Sequence, residues 1–339
     1  MNLLICTQAV DRTDPALGFF HSWIEQLATR FDNITVLALR VGEHSLPSNV
    51  EVIPLGHGRL RRMIRILHYS VALRGKYDAV FVHMSQEFVL LAGWLWKLLG
   101  KTIYLWRNHY AGTMATNIAA RMCKKVFCTS KYSYTARYSN TVFMPVGIDT
   151  ELFTRLSEVP RDPRSILFLG RIAPSKKPQV LLQALGMLKK RGVTFAASFY
   201  GSESPQDAAY AKKLRSMVDE LNLSEEVSFK QSVPNRETPA VFNRHAIFVN
   251  CSPSGMYDKT LFEAASCECA VVAASKDFAE LVDVRFVFED GNADELARKI
   301  ETLLSLSVLD QQGIGAQMRN IARPHSVTNL MDKLAAEMH

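Results

Sequence analysis

A chain of 339 residues is long for a single core and fits two domains. Its 48% apolar and 22% charged residues are ordinary for a globular protein, and no apolar run approaches the roughly 20 residues that span a bilayer. The net charge of +7 lies in the first half: residues 1–150 hold 17 Lys and Arg against 9 Asp and Glu, and the rest is nearly neutral.

The N-terminus, MNLLICTQAV, lacks a basic leader and reads as a first β-strand. A helical pattern follows at 18–31, then short apolar strands at 34–39 and 50–55. Residues 59–76, RLRRMIRILHYSVALRGK, form a basic amphipathic helix. Leu60, Met63, Ile64, Leu67 and Val71 share one face, and Arg59, Arg61, Arg62 and Arg65 lie around it. Two readings are open: a core helix with a solvated basic side, or a helix lying on an anionic membrane surface. The run has no interleaved aromatics and the chain no nucleic-acid-binding motif, so nucleic acid is not an expected partner.

Further strands are predicted at 79–84, 102–106, 125–130 and 141–146. The longest apolar stretch, from Phe88, is broken by Lys97, Gly100 and Lys101. Residues 154–165, TRLSEVPRDPRS, have two prolines, several charges and no periodicity, which marks a linker. The second half alternates strands at 165–170, 194–201, 227–232, 246–250, 270–275 and 286–289 with helices at 178–191, 206–222, 259–268 and 292–305. The tail, 316–339, is helical with a break at Pro324. Such alternation predicts βαβ units, and about a dozen strands suit two doubly wound parallel sheets. The expected domains are 1–155 and 165–315, with 316–339 returning to the first. Ligands of such sheets bind at the carboxyl ends of strands, so a cleft between the two sheets is the expected site.

Six cysteines form no paired framework, and Cys267 and Cys269 are too close for a zinc knuckle. Free thiols in a reducing cytoplasm are expected.

Two segments carry chemistry. After the strand ILFLG, Gly170 and Arg171 are followed by Lys176 ahead of a new helix. A guanidinium fork and an ammonium at a strand's carboxyl end suit a diphosphate. In PSGMYDKTLFEAAS, Ser254 and Gly255 lie in a turn, and Asp258 and Lys259 open a helix. Asp258 can cap the helix or accept from hydroxyls, Lys259 can face phosphate, and the N–H groups of Thr260 and Leu261 can point at an anion. Glu263, one turn on, can accept both hydroxyls of a ribose.

Together these segments resemble the family 4 glycosyltransferases, which have the GT-B fold. The matched residues are Gly170-Arg171 with Lys176, Pro253-Ser254, Phe262-Glu263-Ala264 and Ala270-Val271-Val272-Ala273. ALGFFHSWIEQLA (16–28), residues 106–109 and PVGIDTELF (145–153) look like bacterial members as well, so the resemblance runs over most of the chain. That family pairs two glutamates eight residues apart. Here the first position is Gly255, and an aspartate-lysine variant of the turn stands in its place.

The resemblance implies a retaining transferase that moves a sugar from a nucleotide diphosphate sugar to a lipid-linked or polysaccharide acceptor. The enzyme would be cytoplasmic and peripheral at the inner face of the membrane. It implies catalytic roles for His109, Arg171, Lys176, Asp258 and Lys259, and donor contacts from Gly18, Gly170, Ser254, Gly255, Thr260, Leu261 and Glu263. His21, His83 and Glu87 fall on the acceptor side, and the donor's base would lie near Tyr200, Gly201, Val233 and Pro234. No aspartate-x-aspartate motif is present, so neither a metal nor another cofactor is expected; residues 289–295, EDGNADE, lack the spacing of a calcium loop. A non-catalytic binder of nucleotide or sugar and a sugar-nucleotide 2-epimerase remain as alternatives.

Overall fold

The computed structural model describes residues 1–14, 17–255 and 257–339; Ala16 and Met256, both in stretches singled out above, lie outside them. Two compact units emerge: Met1–Gly147 with Val327–His339, and Ile148–Ser326.

The first unit runs β1 (Leu3–Val10), α1 (Phe19–Ala28), β2 (Ile34–Val41), β3 (Val50–Pro54), α2 (Arg59–Ala72), β4 (Ala79–His83), α3 (Gln86–Leu98), β5 (Thr102–Trp106), α4 (Met114–Met122), β6 (Lys125–Cys128) and β7 (Thr141–Phe143). The sheet is parallel throughout, in the order β3-β2-β1-β4-β5-β6-β7. Successive strand residues point to opposite faces. Leu3 and Ile5 therefore join one core with Phe20 and Trp23 of α1, whereas Leu4 and Cys6 join another with Ile66 of α2, Trp96 of α3 and Ala119 of α4. Helices α2, α3 and α4 thus share one side of the sheet.

The second unit continues with β8 (Asp162–Leu169), α5 (Pro178–Lys190), β9 (Ala196–Tyr200), α6 (Ala208–Glu220), β10 (Val227–Lys230), α7 (Thr238–Arg244), β11 (His245–Asn250), α8 (Lys259–Ser266), β12 (Ala270–Ala273), α9 (Lys276–Ala279), α10 (Ala293–Leu304) and α11 (Val308–Ala322). Its parallel sheet has the order β10-β9-β8-β11-β12. The last helix, α12 (Val327–Met338), packs in the first unit. There Leu330 and Leu334 enter the core with Trp23, the Tyr104 hydroxyl donates to the Met338 carbonyl at 2.9 Å, and Lys125 pairs with Glu337 at 2.8 Å.

Three details differ from the expectations. The stretch 154–165 is not a free linker, because Phe153 packs on Phe242 and Arg155 donates to Asn243 Oδ1 at 2.9 Å, which ties it to the second unit. Residues 286–289 are not a strand. The Asp283 carboxylate accepts from Arg285 N–H at 2.9 Å and locks a tight turn, so only Val287 bridges to Ala273. In α2, the residues turned to the core are Ile66 and Ser70, not the apolar set of Leu60, Met63, Ile64 and Val71, which is exposed. Ser70 explains the register: its hydroxyl accepts from Trp96 Nε1 at 2.8 Å and its carbonyl from the Tyr77 hydroxyl at 2.8 Å.

Candidate active site

The second unit gathers its polar side chains at the carboxyl ends of β8, β9 and β11. Strand β8 ends at Leu169, and Gly170 N–H continues the ladder to the Tyr200 carbonyl at 3.0 Å. Gly201 then passes so close that a Cβ on it would lie 1.9 Å from the Gly170 oxygen. This close approach requires glycine, and it fixes where Arg171 leaves the sheet. Arg171 is exposed, and among the described residues its side chain has no hydrogen-bond or ion-pair partner. Residues Pro174–Lys176 form a single tight turn, which Lys177 ends in the left-handed region at φ 50°.

Lys176 is held by Asp258. The carboxylate of Asp258 is saturated. Its Oδ2 takes Lys176, Asn250 Nδ2 at 3.1 Å and Ser252 Oγ at 3.4 Å, and its Oδ1 takes Thr260 Oγ1 at 2.9 Å and Thr260 N–H at 3.3 Å. Burial works against ionisation here, but the Lys176 charge and the hydrogen bonds from Lys176, Thr260 and Asn250 outweigh it and hold the carboxyl down at about 2. Asp258 is therefore the N-cap of α8 and its permanent anion. The N–H groups expected to face a ligand are both engaged: Thr260 by that carboxylate, Leu261 by the Asp258 carbonyl at 3.1 Å. The Leu261 side chain is core.

Glu263 is buried, with one weak contact from Asn235 Nδ2 at 3.4 Å. Burial raises its carboxyl towards neutrality, and Lys259, four residues earlier, opposes this. Burial likewise lowers Lys259, and Glu263 opposes that. Each charge thus offsets part of the burial cost of the other across one turn of α8.

Two contributors had little or no sequence signal. Asn250 ends β11 and bonds both Asp258 and Thr260; its only mark is a polar residue closing a fully buried strand. Asp277, buried at the start of α9, accepts from Gly255 N–H at 3.2 Å, and its carbonyl takes the Tyr257 hydroxyl at 2.8 Å. With Ser254 Oγ accepting from Lys276 N–H at 2.8 Å, this pins the turn before α8. Gly255 sits at φ 93°, where glycine is favoured.

In the first unit the expected residues are spread around the carboxyl ends of its strands. His109 is half-buried, and its Nδ1 meets the Ala111 N–H at 2.9 Å and its carbonyl at 3.1 Å, which leaves Nε2 for a ligand. His83 ends β4, stacked on Phe20 at 3.8 Å with Nδ1 3.3 Å from Thr7 Oγ1. His21 is buried; Nε2 accepts from Ser45 N–H at 3.1 Å and Nδ1 lies 3.5 Å from Glu25. A Cβ at Gly18 would lie 2.6 Å from the Asp14 carbonyl, so tight backbone packing accounts for that glycine. Glu87 is exposed in the first turn of α3, on a groove of about 730 Å³. Val233 and Pro234 lie in the loop after β10, while Tyr200 faces Lys230 at 5.7 Å. Among the described residues, no group of three or more His, Cys, Asp or Glu is placed to hold a metal ion. The six cysteines are buried and unbridged.

Residues 163–306 match the family of glycosyl transferases group 1. The Anabaena protein HepE, in complex with UDP, superposes with a TM-score of 0.81 over 99% of both chains at 18% identity. The fold is GT-B. The sucrose-phosphate synthase of Thermosynechococcus elongatus has it too, with a TM-score of 0.80 at 17% identity over 98% of both chains. In sequence, the D-inositol 3-phosphate glycosyltransferase of Mycolicibacterium smegmatis is 29% identical over 137 residues, which is 38% of this chain and 31% of that protein. Its counterpart in Mycobacterium sp. strain KMS is 28% identical over 194 residues, 54% of this chain and 42% of that one. The match thus spans less than half the length of these relatives.

Proposed function

We propose that this protein is a retaining, metal-independent glycosyltransferase of family 4 that uses a uridine diphosphate sugar. The observation that carries the reading is the cluster at the carboxyl ends of β8 and β11: Arg171, Lys176 and Lys259 beside the capped start of α8, with Glu263 buried one turn inside. Cations at that position suit a diphosphate, and a buried carboxylate suits a ribose diol. The uridine is taken from the neighbour solved with UDP.

In the reaction, the bond from the sugar's anomeric carbon to the diphosphate oxygen breaks, and the electron pair leaves with the nucleoside diphosphate. Arg171, Lys176 and Lys259 stabilise the negative charge that grows there, a preorganised electrostatic effect. The acceptor hydroxyl attacks from the face the diphosphate leaves, and its proton passes to the departing phosphate oxygen. No protein nucleophile is required. A role for His109 in the reaction rests on the family resemblance. A lipid-linked or polysaccharide acceptor is assigned to the side of His21, His83 and Glu87.

The deciding experiment is a thermal-shift panel of UDP, GDP, ADP and their sugars, with and without EDTA. A ligand at a hundredfold excess over its dissociation constant stabilises the native state by about 2.7 kcal/mol. The expected result is a shift with the uridine nucleotides that EDTA leaves unchanged and that is lost in Arg171→Ala and Glu263→Ala. No shift with any nucleotide would overturn the reading. NMR of the product's anomeric configuration tests retention.

A further inference from the structure

We propose that the second unit carries, at the amino ends of its strands, a binding site for a small oxoanion of the phosphate class, built on Arg155 and Arg161. The two guanidinium groups converge on one buried residue, Asn243. Arg155 Nη1 donates to its Oδ1 at 2.9 Å, and Arg161 Nε donates to its carbonyl at 3.2 Å. Both arginines line a cavity of about 150 Å³, which Val308, Gln311 and Gln312 from the start of α11 line as well. Pro163 and Ala246, also in its wall, place the cavity at the amino ends of β8 and β11.

The arginines have hydrogen bonds but no counter-ion. Arg161 donates to the Cys267 and Glu268 carbonyls at 2.6 Å, and Arg155 to the Val159 carbonyl at 3.2 Å. The carbonyls of Asn243, Cys267 and Glu268 end α7 and α8, and the partial negative charge of two helix ends offsets only part of two full positive charges. Among the described residues neither arginine has a carboxylate partner. Glu268 lines the cavity too, but its side chain is committed to Arg319 at 3.2 Å. Burial and the charge of Arg161 both loosen the hold of Arg155 on its proton, by more than Glu268 and Glu158 restore.

Two like charges held together out of bulk water repel unless an anion joins them. A guanidinium has five N–H donors in a planar fork, and Arg161 spends one from each of its three nitrogens on carbonyls. The two that remain suit the oxygens of a tetrahedral oxoanion. Size narrows the choice. About 150 Å³ accepts phosphate or sulfate, whereas pockets for nucleotide-sized ligands run to roughly 300–1,000 Å³. The place is also distinct from the cations at the carboxyl ends of β8 and β11, since β8 runs about 20 Å from Pro163 to Leu169. The inference holds whatever that other cluster binds.

Thermal melts of the full-length protein test it, in about 20 mM phosphate, sulfate or chloride at matched ionic strength, with and without saturating UDP. Phosphate and sulfate are expected to raise the Tm by about 2 °C or more over chloride. The increment should be the same with UDP present and in Arg171→Ala, and absent when Arg155→Gln is combined with Arg161→Gln. Those two arginines also clasp the chain, so Gln312→Glu provides an independent arm. Gln312 is exposed, and a carboxylate there supplies the missing counter-charge from the cavity wall. This variant is expected to melt higher than the wild type in chloride and to lose the response to phosphate. A phosphate increment no larger than that of chloride, or one that disappears with UDP or in Arg171→Ala, would overturn the proposal. So would a Gln312→Glu protein that keeps the full increment.

Discussion

The Asp258 carboxylate holds the Lys176 ammonium at the start of α8. The lysine best placed for a diphosphate is thus already paired, and an anion already caps the helix. A diphosphate that arrives must share Lys176 with Asp258 and sit near its negative charge. Two like charges about 6 Å apart at an effective dielectric of 20 repel by roughly 3 kcal/mol, partly offset by the shared lysine. Asp258→Asn removes the repulsion and keeps a side-chain acceptor for Thr260. UDP is then expected to bind about three- to tenfold more tightly and, in turnover, to leave more slowly. Calorimetric titration of UDP decides the point: weaker binding in Asp258→Asn would mean that the carboxylate mainly positions the lysine.

His325 packs against Phe262 with ring centroids 4.2 Å apart and tilted by 40°, and burial depresses its imidazole to about 4. Between that value and the ordinary one near 6.5, the unfolded chain takes up a proton that the folded one refuses. Stability is therefore full above pH 6.5 and falls as the pH drops towards 4, by up to about 3 kcal/mol. His325→Phe keeps a ring against Phe262 and loses this dependence. From pH 8 to pH 5 the melting curves of the two proteins should draw apart, the wild type losing stability that the variant keeps. Parallel curves throughout would exclude His325 as the titrating group.

Most of this architecture is legible in the sequence, because parallel strands buried on both faces read as short apolar runs between helical patterns. Twelve such runs correspond to β1 to β12. The thirteenth, at 286–289, has the same composition, but the Asp283 turn competes for its backbone. The site divides along similar lines. Gly170, Arg171, Lys176, Asp258 and Glu263 lie in contiguous segments, and local pattern places them. Asp277 contributes through a backbone contact from 22 residues away, which no spacing announces. For α2 the sequence leaves the core and the surface both open, since an apolar face at helical period looks the same whether it meets a core or not, and only the structure shows Leu60, Met63, Ile64 and Val71 exposed.

Glu263 predicts a pH dependence of donor binding. Burial raises its carboxyl, so protonation begins well above the ordinary carboxylate range. A protonated acid loses acceptor capacity towards the two ribose hydroxyls. Affinity for UDP-glucose, whose diphosphate diester does not titrate near neutrality, should weaken as the pH falls from 8 to 6. The slope should vanish in Glu263→Gln, which binds more weakly at every pH. A slope that survives the substitution would place the titrating group elsewhere.

Gly201 and Gly192 give a matched pair of alanine substitutions with different expected outcomes. At Gly201 the added Cβ would meet the Gly170 carbonyl oxygen at 1.9 Å. Both atoms belong to backbone at the ends of neighbouring strands, so no side-chain rotation relieves the clash and the strand ends must separate. Overpacking of this kind costs about 3 kcal/mol. The displaced segment is Gly170-Arg171, so UDP affinity should fall together with stability, by an order of magnitude or so if Arg171 moves out of reach of the diphosphate. Gly192 follows α5 at φ 74° with nothing within 4 Å of the added carbon. Its substitution costs only the left-handed strain, about 1 kcal/mol, far from the cations of the site. Thermal melts should therefore drop for both variants, and UDP titration should separate them: impaired for Gly201→Ala, unchanged for Gly192→Ala. Wild-type UDP affinity in a folded Gly201→Ala protein would show that the close passage of β8 and β9 does not set the position of Arg171.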